Sequence, residues 1–287
     1  MPRLRTDVHR KVRELLSHSV PLGPQAQRPI QHFESAINVG LQLLRYIQDH
    51  IDLDTVYEAG YSRHLGHLGR MALAEMIESF ERFLKELAAA CVDSLARYCL
   101  DDRFDEFLPR RGDTIAAFVN AQSIGKALCE SDTWINNKAI NDRFSALLQS
   151  PFGAKWEPLF PSPNEKPAAE RERAATLAIL WQVRHNLAHN LGVITHSDAK
   201  RFRVMIGGPV EDDCRLAPDT DDLKYIKRFL SESAEQVNVR VGTRLAELLT
   251  AYHASDAGLF DAQAEADALS RRLDFPITID GRVGTPS

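Results

Sequence analysis

Apolar residues recur along most of this chain at intervals of three and four, the spacing of one face of an α-helix. Three long runs show it: Ile30–Ile51, Leu73–Tyr98 and Leu223–Tyr252. Charged residues flank the second run, which predicts one long amphipathic helix over roughly residues 64–99. The third run predicts another long helix.

Shorter elements are predicted between these runs. One short helix follows a possible N-cap at Asp113 and ends before the segment 129–132, and another spans Asn137–Leu148. Arg201–Ile206 and Asp274–Ile279 are candidates for short strands, although neither alternates over more than a few residues. The pattern therefore predicts an all-α fold built as a helical bundle.

Loops and boundaries follow from proline and glycine. Residues 157–167 hold four prolines and predict a loop, and another begins at Gly207. We predict a peripheral segment over residues 1–29, one helical domain over 30–255 and a peripheral C-terminal extension over 256–287.

Length and cysteine usage narrow the class of protein. A chain of 287 residues can bury a core without disulfides or metal. Its four cysteines form no C-x-x-C pair, which speaks against a disulfide scaffold or a cysteine-based zinc site. The N-terminus lacks the apolar stretch of a secretory signal, and no apolar run is long enough to cross a bilayer. We therefore expect a cytoplasmic protein that does not associate with membranes.

The charge balance is informative only locally. The net charge of −5 argues against a protein that coats nucleic acid. Residues 171–203, however, carry six bases against two acids, a local charge of +4. Residues 204–222 carry one base against six acids. Since phosphate contacts are local, a basic segment followed by an acidic loop still permits an RNA site.

The basic segment contains an arginine on an apolar helical face. At about 100° per residue, Arg184 lies near the middle of an arc of about 120° that is otherwise apolar. The apolar members of this arc are Leu177, Leu180, Trp181, Leu187, Ala188 and Leu191. A guanidinium keeps its charge, so its place on this face needs a specific partner.

Three partners are possible for Arg184. The first is a buried carboxylate on a neighbouring helix, the usual partner of a core arginine. The second is a phosphate or another anion bound in a crevice, helped by adjacent imidazoles and amides. The third is a subunit interface, where an apolar face with a central arginine is common.

Histidines near Arg184 raise the question of a metal site. His185 and His189 are four residues apart and share a helical face, and His196 follows after the predicted helix. No carboxylate or cysteine stands at ligand spacing, so a zinc site is the weaker interpretation. We predict no bound metal and no cofactor.

The sequence Arg184-His185-Asn186-Leu187-Ala188-His189 resembles the R-x4–6-H signature of the HEPN superfamily of ribonucleases. In that family a polar residue commonly follows the arginine, and the signature lies late in an all-α bundle, after a long amphipathic helix. Residues 78–87 look like part of that earlier helix. The resemblance covers roughly residues 64–252.

The resemblance implies a metal-independent endoribonuclease that uses the 2′-hydroxyl of RNA and leaves 2′,3′-cyclic phosphate and 5′-hydroxyl ends. Arg184 would clamp the phosphate, His189 would act as general acid or base, and His185, Asn186 and Asn190 would support them. It further implies a bacterial toxin or anti-phage effector with an antitoxin or another regulatory partner. The alternative is a catalytically silent HEPN-like module that binds RNA or nucleotide, or acts as a scaffold.

Helix geometry constrains such a site. Five residues span about 7.5 Å of helix axis, and the side chains of Arg184 and His189 diverge by about 140°. Either the helix is distorted between Asn186 and His189, or two copies of the motif face each other across a two-fold axis. Homodimers with a shared catalytic cleft are the rule in the family that the motif resembles. We therefore predict a homodimer with a composite active site.

Overall fold

The protein is mostly helical, which confirms the all-α prediction. The structure is a computed structural model that describes residues 10–12, 14–15, 28–50, 58–98, 123–129, 134–149, 156–161, 168–256, 258 and 260–286.

In these ranges the chain forms the following helices and strands in order: α1 (Pro29–Ile37), α2 (Val39–His50), α3 (Glu58–Leu95), α4 (Ile124–Cys129), α5 (Asn137–Leu148), α6 (Ala168–Asn190), β1 (Val193–Ile194), α7 (His196–Ile206), β2 (Cys214–Arg215), α8 (Thr220–Ser255), α9 (Ala262–Leu273), β3 (Ile277–Ile279) and β4 (Arg282–Gly284). The strands form two antiparallel ribbons, β1 with β2 and β3 with β4.

Helix α3 is the central element of the bundle. It has 38 residues and packs against α1, α2, α4, α5, α6 and α8. Its side chains Phe80, Phe83, Leu84 and Leu87 are almost completely buried, because neighbours surround the helix on several sides. The predicted long helix is therefore confirmed, although it starts earlier and ends earlier than the interval 64–99.

The helices predicted from the first and third apolar runs and over Asn137–Leu148 also form. Helix α8 covers the third apolar run and begins at a capping box in which Asp219 and Asp222 bind each other's backbone amides. Helix α5 has the predicted bounds, and the side chain of Asn136 caps its first turn. The first apolar run is divided at Asn38, where α1 ends and α2 begins. The helix start predicted at Asp113 lies outside the described residues.

The strand prediction for Arg201–Ile206 is wrong, because these residues form the second half of α7. A capping box between Thr195 and Asp198 starts this helix, and Gly207 ends it in the left-handed conformation at φ 65°. The second strand prediction is correct in part, since β3 occupies Ile277–Ile279.

The C-terminal residues belong to the core, so the expectation of a peripheral addition at this end is wrong. Leu269, Leu273, Ile277 and Ile279 are buried in the same apolar cluster as the side chains of α3. Helix α9 and the ribbon β3–β4 pack on α8 and on each other. Apolar residues at a helical spacing in α9, followed by the short strand β3, allow this segment to cover one side of the bundle.

Residues 156–161, at the start of the predicted proline loop, form neither helix nor strand, and the loop's residues 162–167 lie outside the described ones. Within the described ranges, no helix is long and apolar enough to cross a membrane.

Candidate functional site

The motif lies on the last two turns of α6, which runs without interruption from Ala168 to Asn190. The helix ends because Leu191 and Gly192 adopt positive φ angles of 53° and 80°. Of the two geometries considered above, the helix distortion between Asn186 and His189 is therefore not observed. In a regular helix the side chains of Arg184 and His189 diverge by about 140°.

The side chain of Arg184 extends from α6 towards α3. It is 22% exposed, and its Nη2 atom is 3.5 Å from Oε1 of Glu78 on α3. The Glu78 side chain is 55% exposed. An ion pair this long and this solvated contributes at most about 1 kcal/mol. The buried Nε atom of Arg184 has no hydrogen-bond partner among the described residues.

The apolar arc around Arg184 is only partly buried. Leu177, Leu180, Trp181 and Leu187 lie in the core, as the periodicity predicts. Ala188 is exposed, and Leu191 is 75% exposed. The arc therefore leaves the core at the last turn of α6, where the motif histidine is also located.

His185 and His189 contact each other. Their ring centroids are 4.5 Å apart and the ring planes are tilted by 48°. His189 is exposed and His185 is half-buried. The structure thus brings the two imidazoles together on a surface that solvent reaches.

Asn186 and Asn190 are held by the neighbouring elements. The fully buried Asn186 donates from Nδ2 to the carbonyl oxygen of Val193 at 2.7 Å and to Oδ2 of Asp198 at 3.0 Å. Asn190 donates to the same carboxylate oxygen at 2.9 Å. Both amides therefore fasten α6 to the start of α7. Oδ1 of Asn186 is buried without a hydrogen-bond partner among the described residues.

Asp198 is the organising residue of this junction, and sequence reasoning counted it only as an acidic charge. It is buried, and its carboxylate also accepts from the hydroxyl of Thr195 at 2.8 Å and from Nε2 of Gln182 at 3.4 Å. Burial alone would raise the pKa of Asp198, but hydrogen bonds from Thr195, Asn186 and Asn190 outweigh it and lower the pKa. The spacing Thr195-x-x-Asp198 before an apolar run is the sequence signal that identifies such a cap.

The histidines do not assemble into a metal centre. His196 is 83% exposed, and its Nδ1 atom lies 2.7 Å from Oδ2 of Asp212. Among the residues that the structure describes, no three His, Cys, Asp or Glu side chains are grouped so that they could hold a metal ion.

The chain was compared with known families and proteins. No family model matches it, and neither a curated protein nor a solved structure matches it significantly. The residues of α6 and their surroundings are therefore the indication of function in this chain.

Proposed function

We propose that this protein is a metal-independent endoribonuclease of the HEPN type and that it acts as a homodimer. One observation carries the proposal: Arg184, His185 and His189 lie on consecutive turns at one helix end, where none of them has a strong partner among the described residues. Cations and imidazoles arranged in this way suit a phosphodiester, which offers negative charge and exchangeable protons.

The reaction transfers a proton twice. The 2′-hydroxyl of RNA loses its proton to a base as the 2′-oxygen bonds to phosphorus, and the bond from phosphorus to the 5′-oxygen breaks. The leaving 5′-oxygen takes a proton from an acid. His189 is the acid or base, since an imidazole changes charge near neutral pH. Arg184 binds the phosphate oxygens, whose negative charge increases in the transition state.

The unbroken helix supports a dimeric site. Because Arg184 and His189 point in directions about 140° apart, one copy does not present both to one phosphorus atom. Two copies related by a two-fold axis solve this, as His189 of one copy then faces Arg184 of the other. The exposed Leu191 beside the motif supplies apolar surface for such a contact.

The biological role follows from the family resemblance alone. We propose a toxin or anti-phage effector of the cytoplasm, with an antitoxin or another regulator that restrains its activity. His185, Asn186 and Asn190 support the reaction, the two asparagines by fixing the end of α6 through Asp198.

A second candidate is a silent HEPN-like module that binds RNA without cutting it. The ion pair between Arg184 and Glu78 favours this alternative, because the carboxylate competes with RNA phosphate for the guanidinium that cleavage requires.

Cleavage of labelled RNA in the presence of EDTA separates the two candidates. We expect the wild type to cut RNA, to leave 2′,3′-cyclic phosphate ends and to resist the chelator. His189→Ala should lose at least about 100-fold in rate, the usual contribution of general acid–base catalysis. His196→Ala is the matched control, since this exposed histidine pairs with Asp212 outside the motif. Equal cleavage by wild type and His189→Ala would refute the assignment.

Complementation tests the composite site. Arg184→Gln and His189→Ala should each be inactive, but a mixture allowed to exchange subunits should regain activity. The mixed dimer holds one intact Arg184 and one intact His189 on different copies. Light scattering measures the oligomeric state of the protein in solution. If the protein is a monomer and still cuts RNA, the dimeric site is contradicted.

A further inference from the structure

Two arginines from different elements lie at the turn that follows the motif helix. Arg70 on α3 packs beneath this turn, because a Cβ atom added to Gly192 would lie only 2.5 Å from Cδ of Arg70. Gly192 is the third residue after His189. The glycine therefore allows the arginine stem to approach the end of α6.

Arg215 reaches the same turn from β2. It lies opposite Val193 in the ribbon β1–β2, and the amide of Leu216 donates to the carbonyl of Gly192 at 2.8 Å. Nη1 of Arg70 donates to the carbonyl of Leu216 at 2.9 Å. The loop residue Leu216 thus links both arginines to one turn.

Neither arginine is neutralised by the described part of the chain. Arg215 is exposed and Arg70 is partly exposed, and no carboxylate of a described residue forms an ion pair with either. The acids nearest to Arg215 in the sequence are not its counterions. Asp212 pairs with His196, and Asp213 forms no ion pair with Arg215. Burial and, to a smaller extent, the positive charge of Arg215 lower the pKa of Arg70.

A purely structural role accounts for only part of this arrangement. The hydrogen bond to Leu216 uses one of the five N–H groups of Arg70 and explains its buried stem. It does not explain why a second arginine is placed nearby, where the two positive charges repel each other. An oxyanion between them would remove this repulsion and accept from both guanidinium forks.

We propose that Arg70 and Arg215 bind a backbone phosphate of the RNA that adjoins the scissile phosphate at the motif. This inference rests on the proposed function, because it identifies a neighbouring subsite of the same RNA. The fixed turn at Gly192 connects the subsite to His189, so a strand held there is placed beside the imidazoles. The subsite does not read the base sequence, since it contacts only phosphate.

Binding of an uncleavable RNA tests the subsite separately from catalysis. Single-stranded RNA carrying 2′-O-methyl groups is titrated with wild-type protein and variants at several salt concentrations. For Arg215→Gln we expect a loss of about tenfold in affinity, the size of one charge-assisted hydrogen bond. The slope of log affinity against log salt should fall by about 0.7, the value for one lost phosphate contact on a single strand.

Two further variants control for charge and for folding. Arg215→Lys keeps the charge and should keep the salt slope. Arg282→Gln removes an exposed arginine from β4 in the C-terminal ribbon and should bind like wild type. Arg70 also supports a loop, so the RNA affinity of Arg70→Gln is compared with its thermal unfolding to detect a loss of structure. Arg215→Gln is the deciding variant.

The outcomes separate the inference from the proposed function. Unchanged affinity and salt slope for Arg215→Gln would overturn the subsite, even if the wild type cuts RNA through His189. Equal losses in Arg215→Gln and Arg282→Gln would also overturn it, because they indicate a diffuse charge effect. Binding that depends on Arg215 in a protein that never cuts RNA would support the subsite and refute the nuclease.

Discussion

Two groups of polar residues around the end of α6 differ in their burial and hydrogen bonding. The first, which we call the Asp198 cluster, consists of Gln182, Asn186, Asn190 and Thr195 around the carboxylate of Asp198. The second, which we call the motif side chains, consists of Arg184, His185 and His189. The carboxylate of the cluster is buried and accepts from all four of its neighbours. Among the described residues, the motif side chains have one long ion pair and one ring contact.

This difference indicates which polar residues serve the fold. A buried carboxylate that accepts several hydrogen bonds rigidifies its surroundings, because any lost partner leaves a buried polar group unsatisfied. Solvent-accessible imidazoles and a weakly paired guanidinium add little stability and remain available to a ligand. Asn186 and His189 are close in sequence, yet Asn186 is buried and hydrogen-bonded within the fold whereas His189 is exposed to solvent.

The largest effect is expected at the centre of the Asp198 cluster. Asp198→Ala removes the acceptor from several donors and should lower the free energy of unfolding by about 2–4 kcal/mol. Urea denaturation measures this loss. His189→Ala, as the counterpart among the motif side chains, should change stability by less than about 0.5 kcal/mol. Similar losses in both variants would remove the distinction between the two groups.

Acidification should act on the same cluster with a smaller effect. The pKa of Asp198 is lowered in the folded protein, so its carboxylate stabilises the fold above the ordinary aspartate pKa of about 3.9. That contribution is lost as the pH falls through the lower, folded value. We expect wild type to lose more stability below about pH 4 than Asp198→Asn, which has no carboxyl group to protonate.

Unfolding measured between neutral and acid pH checks this expectation. Above pH 5 the free energy of unfolding of wild type and of Asp198→Asn should change with pH in parallel, because aspartate is ionised there. Parallel curves below pH 4 as well would mean that the hydrogen bonds of Asp198 do not depend on its charge.

Only a small change in stability is expected at Glu78. Glu78→Gln removes the only described ion pair of Arg184 and should alter the free energy of unfolding by less than about 1 kcal/mol. It should raise RNA affinity about two- to fivefold, since the guanidinium no longer has a competing carboxylate. Fluorescence anisotropy with uncleavable RNA measures the affinity.

Glu235→Gln provides the matched control for Glu78→Gln. It removes the same charge from an exposed position on α8. An equal gain in both variants would assign the effect to net charge, whereas a stability loss well above 1 kcal/mol at Glu78 would favour a structural ion pair.

Much of the fold could be predicted from periodicity, because long helices bury a stripe that recurs every three to four residues. The helices around Phe80 and Leu245 follow such stripes closely. Short elements were less predictable. Residues 201–206 contain β-branched and aromatic residues, but the cap at Thr195 and Asp198 places them in a helix.

The candidate site was predicted in part. Helical spacing predicts that His185 lies beside His189, as observed. For Arg184 it left three partners open, of which the structure shows a carboxylate on a neighbouring helix. Helical spacing did not reveal Asp198 as the partner of both asparagines, because that contact joins α6 to the next helix across a turn. It also did not reveal the pair Arg70 and Arg215, which are far apart in sequence.

The sequence by itself determined the helical class of this protein and the helix that carries Arg184 and His189, since both depend on local periodicity and capping. Only the tertiary structure decided which polar side chains are buried and satisfied and which remain open to a ligand. Hydrogen bonding and burial depend on elements that meet across the fold, so one stretch of sequence does not contain them. The incorporation of the C-terminal residues into the core was decided in the same way, by their contacts with α8.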